Sequence, residues 1–228
     1  MRRPKNGARR AEQSIRTARR AVCGMLLLTG TMTACVQDDD SSQQHVLSAA
    51  QVCDDVLSPT GRKALELVSG TERFTELTRR NEAGDPERFS VALAAEKLRG
   101  KSGDRADCTV YRADDESGHP QVSIEFEPRA SRPETLVDRE QISFDLGVHA
   151  YVNDDGGTYL YFACTTEGLQ GKKSYVKASM FTVQGVAPGS APEDRMAILN
   201  DVSRALAEQL GCADEAALPA RVPEPVKG

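Results

Sequence analysis

The chain has 228 residues, with 29 basic and 34 acidic side chains and a formal charge of −5. That length suits one domain or two small ones. Charge is divided unevenly: residues 1–34 hold eight basic side chains and one acid, Glu12, so the 21 basic and 33 acidic residues beyond them give residues 35–228 a net −12. Such a surface excludes the phosphate-neutralising chemistry of a nucleic-acid binder and argues against electrostatic docking on anionic lipid.

Behind the basic start, residues 21–34 read AVCGMLLLTGTMTA, apolar or small throughout. Fourteen helical residues reach roughly 21 Å, short of the ~30 Å hydrocarbon core of a bilayer. A basic lead followed by such a run has the form of a signal peptide. The run closes with Met32-Thr33-Ala34-Cys35, which resembles the bacterial lipobox, with Met32 where Leu is usual. That resemblance implies diacylglyceryl transfer to the Cys35 sulfur and cleavage before it, with an ordinary secretory cleavage as the competing reading. Two acyl chains hold a protein at a membrane where one is marginal. The pairs Arg9-Arg10 and Arg19-Arg20 leave general secretory and twin-arginine export both open. The expected organisation is a signal peptide over 1–34, an acidic tether over 35–47, an extracytoplasmic domain over 48–216 and a proline-rich tail over 217–228. Asp38, Asp39 and Asp40 belong to the tether and read as a hydrated spacer rather than calcium ligands.

In SPTGRKALELVSG, Ser58 is placed to cap a helix, Pro59 fits its first position and Gly70 ends it. Ala64, Leu65 and Val68 share one face. FSVALAAEKLRG repeats the logic, with Ser90 as cap and Gly100 as terminator. From Asp107 the period changes to two. CTVYRA is a strand, and QVSIEFEPR alternates Val122, Ile124 and Phe126 against Ser123, Glu125 and Glu127, a half-buried strand with one wet face. QISFDLGVHAYV predicts a further strand with Ile142, Phe144, Leu146 and Val148 inward. NDDGG then turns the chain into TYLYFACT as an antiparallel hairpin. SYVKASMFTVQG is the last strand. Ser190 and Glu193 predict a capping box for a helix with Ile198, Val202, Leu206 and Leu210 in line, ended by Gly211. The order predicts an α+β fold: an antiparallel sheet of about four to five strands, packed with two N-terminal helices and one C-terminal helix.

Of six cysteines, Cys23 leaves with the leader and Cys35 is taken by lipid. Cys53, Cys108, Cys164 and Cys212 remain, an even number in an oxidising compartment, which predicts two disulfides among three possible pairings. Zinc lacks support, since there is no CxxC pair with a nearby histidine.

Chemistry is sparsely signalled. His45 falls in the tether and His119 in a turn, while His149 shares a strand phase with Ser143 and Asp145. Side chains at such spacing project in parallel, which gives no relay geometry. No nucleophile elbow, phosphate loop, HExxH, EF-hand or dinucleotide fingerprint is present, and no cofactor or metal is expected. Glu125, Glu127 and Asp145 keep an envelope hydrolase with paired carboxylates as an alternative. In TYLYFAC, Tyr159 and Tyr161 share one strand face, Leu160 and Phe162 the other. The plain reading is a central strand covered on both sides. The sharper one has Tyr159, Tyr161 and Tyr175 lining a groove for a glycan, peptide or lipid.

Together, CDDVLSPTGRKALELVSGTERF, LYFAC and ALAEQLGCADEAALP resemble a group of streptomycete lipoproteins of unknown function, matching at Cys53, Gly70-Thr71, Tyr161 through Cys164 and Gly211-Cys212. The resemblance implies an actinobacterial cell surface and carries no activity. The sequence therefore reads as a lipid-anchored protein on the outer face of the plasma membrane. Its expected role is a non-catalytic binding or interaction module for an envelope protein, peptide or glycan. A hydrolase or a purely structural envelope protein are the alternatives.

Overall fold

Alternating apolar residues and capped helices meet in a computed structural model that describes residues 46–80, 86–100, 106–134, 141–168, 171–182 and 190–226. Residues 1–45, with the expected signal peptide, Cys35, His45 and the expected tether up to His45, lie outside the described residues, whereas Leu47, the expected end of that tether, bridges to Phe74.

The elements run α1 (Pro59–Ser69), β1 (Phe74–Glu76), β2 (Arg79–Arg80), β3 (Pro86–Glu87), α2 (Val91–Leu98), β4 (Ala106–Arg112), β5 (Val122–Arg129), β6 (Gln141–Phe144), β7 (His149–Asn153), β8 (Gly157–Gly168), β9 (Gly171–Thr182), α3 (Pro192–Leu210) and α4 (Ala213–Ala216). The class is α+β as expected, but the main sheet has seven strands, in the order β1-β4-β5-β9-β8-β7-β6, and every pairing is antiparallel. β2 and β3 pair separately.

Two differences explain the larger strand count. The run from Gln141 to Val152 is two strands rather than one. Gly147 sits in the left-handed region at φ +59°, where a Cβ would meet the Tyr161 carbonyl oxygen at 2.5 Å. The chain reverses there, and β6 folds back on β7 with Phe144 opposite Ala150. Leu146 is buried in the turn, while Val148 is half-buried rather than a core strand position. The second addition is β1, hidden in a polar stretch around one apolar residue, Phe74, which is fully buried.

Helices cover one face of the sheet. α3 lies on β7–β9, α2 lies on β4 and β5, and α1 packs on α3. Leu160, Phe162, Val176, Ala178 and Met180 of the central strands therefore meet Ile198, Val202 and Leu206 of α3 in a single core. The capping pattern is partly as written in the sequence. Ser58 Oγ accepts the Gly61 N–H at 3.1 Å, and Gly70 closes α1 at φ +62°. At α2, however, Ser90 makes no capping bond, and the Asp54 carboxylate accepts the Val91 N–H at 2.9 Å. At α3 the cap falls on Ala191 rather than Ser190. Asp194, not Glu193, reaches back to accept the Ala191 N–H at 2.9 Å.

The pairing left open by the sequence is Cys53–Cys108 and Cys164–Cys212. The first bridge ties β4 to a turn in which Cys53, Asp54 and Asp55 are all left-handed, at φ 51°, 66° and 59°. Each such non-glycine residue costs about 1–2 kcal/mol, so the turn needs outside support. Glu76 accepts the Cys53 N–H at 3.0 Å and is itself held by Arg88 at 2.6–2.7 Å. Burial pushes the Glu76 carboxyl above its ordinary value, against the Arg88 bond and charge that pull it down. The second bridge fastens the end of α3 to β8 beside an irregularity between Ala163 and Thr166.

The proline-rich segment lies along the sheet edge. Pro225 bridges to Phe144, the Val226 N–H donates to the Ser143 carbonyl, and Asn200 Nδ2 donates to the Pro219 carbonyl. Among the described residues, no helix is long and apolar enough to cross a membrane.

Candidate functional site

Because helices take one face of the sheet, strand alternation sends the odd-numbered residues of β5 to β9 to the other. Register then places them side by side: Tyr151 opposite Tyr159, His149 opposite Tyr161, Tyr161 opposite Lys177, and Tyr175 opposite both Ala163 and Arg129. Tyr159 and Tyr161 are half-buried on this face, with Leu160 and Phe162 fully buried behind them. β8 is a central strand, yet among the described residues helices cover it on one side only.

The rings form a connected row. Tyr151 and Tyr159 stack at 4.9 Å between centroids, His149 lies 4.9 Å from Tyr151, and Phe181 meets Tyr159 edge-on at 5.9 Å. Lys177 Nζ stands 5.2 Å from the Tyr159 centroid, a cation–π distance. Tyr151 and Tyr159 each turn one ring face on the other. Tyr175 shares the face but takes part in none of these ring contacts among the described residues.

At one end of the row a depression of about 600 Å³ opens between the 129–134 segment and strands β6–β8. Arg129, Arg132 and Glu134 come from the first wall, and Gln141, His149, Tyr151, Asn153 and Tyr161 from the second. Partial burial pushes the Tyr151 hydroxyl up to about 12 and also raises those of Tyr161 and Tyr159, so all three remain phenols at neutral pH. The Tyr151 and Tyr161 hydroxyls lie close enough to influence each other's ionisation. Desolvation holds His149 below its ordinary value, which keeps it neutral there.

Of the residues singled out in the sequence, Tyr161 and His149 line this depression, whereas Tyr159 and Tyr175 stand beyond it on the same face. Ser143 faces Tyr151 across the ladder and Asp145 is exposed in the turn, so Ser143, Asp145 and His149 do not converge. Glu127 is occupied by Arg129 at 2.8 Å, and Glu125 stands opposite Ser179 on the sheet. His119 is exposed in the β4–β5 turn. Tyr151, Phe181, Arg129 and Arg132 were not singled out. The alternation in HAYVN signals Tyr151, but nothing local to the sequence brings the two arginines beside it.

One cluster has the makings of a metal centre: ligand atoms of Cys53, Glu76 and Cys108 lie within 4.8 Å of one another. Both sulfurs are consumed in the disulfide, so neither is a thiolate able to bind metal.

Fold and face together describe a two-layer α+β domain with a helix-covered core and an open, aromatic, donor-rich sheet surface. Comparisons with family models, curated proteins and solved structures return no match for the chain.

Proposed function

We propose that this chain is a lipid-anchored, non-catalytic binding module on the outer face of an actinobacterial plasma membrane, and that the open sheet face is its contact surface. The anchor is supported by the basic leader, the short apolar run and the small residues before Cys35, together with the resemblance to streptomycete lipoproteins. The observation that carries the binding role is the row of His149, Tyr151, Tyr159 and Tyr161 beside a built depression. Amphipathic rings with polar tips suit partly wet recognition surfaces. A glycoside hydrolase needs two carboxyl groups facing each other across a cleft, about 5–10 Å apart. Glu134 is the one carboxylate among the described residues lining the depression, which favours binding over hydrolysis.

The test has two parts. Cys35→Ala should release the protein from membranes or block its processing. Retention as a mature membrane protein would refute the anchor. Tyr159→Ala with Tyr161→Ala should abolish capture of a partner from surface-crosslinked cells while circular dichroism and both disulfides are preserved. Undiminished capture by that folded variant would remove the open face from the proposal.

A further inference from the structure

The geometry points to a sugar acid as the ligand of the depression between the 129–134 segment and β6–β8: a polyhydroxylated ring bearing a carboxylate or phosphate. This inference rests on the binding-module reading and names the chemistry of what is bound.

Charge is the first argument. Residues 35–228 carry a net −12, yet the described lining holds two arginines, Arg129 and Arg132, against one exposed acid, Glu134. Glu127 pairs with Arg129 beside this lining, so the wall is balanced in charge where the chain as a whole is acidic. Its guanidinium groups, which meet oxyanions with paired, directional donors, favour an anionic group there.

The opposite wall supplies the second argument. Gln141, Asn153, Tyr151 and Tyr161 line it with neutral polar groups, which suit hydroxyls rather than a second charge. About 600 Å³ falls inside the range of small-molecule sites, roughly 300–1,000 Å³.

Ligand-observed NMR titration of the full-length chain tests this with four probes: digalacturonate, glucose 1-phosphate, maltose and inorganic phosphate. Saturable binding of at least one charged sugar is expected, at least tenfold tighter than maltose or inorganic phosphate. Which charged sugar binds decides between carboxylate and phosphate. Arg129→Gln and Arg132→Gln, both at exposed positions, should each weaken it by roughly tenfold or more, the loss of a charge-assisted contact. Glu127→Gln should strengthen it severalfold by freeing Arg129 from its 2.8 Å ion pair. Lys63→Gln, exposed on α1, should change nothing. Maltose binding as tightly as the acids, inorganic phosphate matching them, or silence from all four probes would overturn the proposal. Silence combined with capture that still depends on Tyr159 and Tyr161 would reject the sugar acid and keep the binding module. Charged-sugar binding through Arg129 and Arg132, with capture unaffected at Tyr159 and Tyr161, would keep this site and reject the wider face.

Discussion

Replacing Gly61 by alanine should destabilise the protein, although the same change inside an ordinary helix stabilises it by about 1 kcal/mol. Gly61 lies in the first turn of α1, where α3 passes so close that an added Cβ would come within 2.2 Å of Asp201 Oδ2 and 3.2 Å of its Cγ. That oxygen is not free to swing aside. It accepts the Ser58 N–H at 2.9 Å and the Ser58 hydroxyl at 2.7 Å, and Asp201 is buried. Displacing the carboxylate breaks one or both bonds, each worth roughly 1.5–3 kcal/mol because the acceptor is charged. Subtracting the propensity gain leaves a net loss of about 2 kcal/mol, from ~0.5 if one bond survives to ~5 if neither does. For a chain of this length, 2 kcal/mol lowers the melting temperature by roughly 4–8 °C. Urea and thermal unfolding of the oxidised protein, followed by circular dichroism, measure it directly. The methyl should become neutral or stabilising once Asp201 is alanine, so the double-mutant cycle changes sign. Gly61→Ala melting at or above the parent while Asp201 is intact would refute the reasoning.

Peptide mapping without reduction should recover the cross-links 53–108 and 164–212 and no others. Their loops, with sequence separations of 55 and 48, predict a loss of about 4 kcal/mol for each cystine replaced by two alanines in the chain-entropy picture. Losses under ~1 kcal/mol at both would contradict it. Glu76 gives a pH signature. Its folded carboxyl is held above the ordinary 4.5 by burial, so the folded state retains a proton that the unfolded state releases. The stability this contributes is complete below pH 4.5 and is lost as pH rises through the folded value. The stability difference between the parent and Glu76→Gln should therefore decline from about pH 4.5 upward and then level off. A difference that grows over that window would mean that Arg88 outweighs burial.

The aromatic face was half legible. Alternation in TYLYFAC separates Tyr159 and Tyr161 from Leu160 and Phe162, and that separation is a property of any strand. Which face stays open is not, because it depends on α3 lying against Leu160 and Phe162. The reversal at Gly147 then sets what surrounds the tyrosines. A continuous strand from Gln141 to Val152 could not have set β6 beside β7, with Ser143 opposite Tyr151. Arg129 and Arg132 reach the depression from the far side of β9 and β8 in the sheet order, with no local signal to announce them.

What the sequence alone determines comes from contacts two to four residues apart: the Ser58-to-Gly61 cap, the left-handed stop at Gly70, and the alternation of Val122, Ile124 and Phe126. Such contacts close small loops and repeat with the period of the helix or strand, so they can be read directly. Tertiary structure decided the cystine pairing, the strand order and the caps that come from elsewhere. Asp54 reaches Val91 across 37 residues, and Asp201 reaches Ser58 across 143. Those bonds form only after packing has already closed the long loops, an entropic cost that no local pattern records.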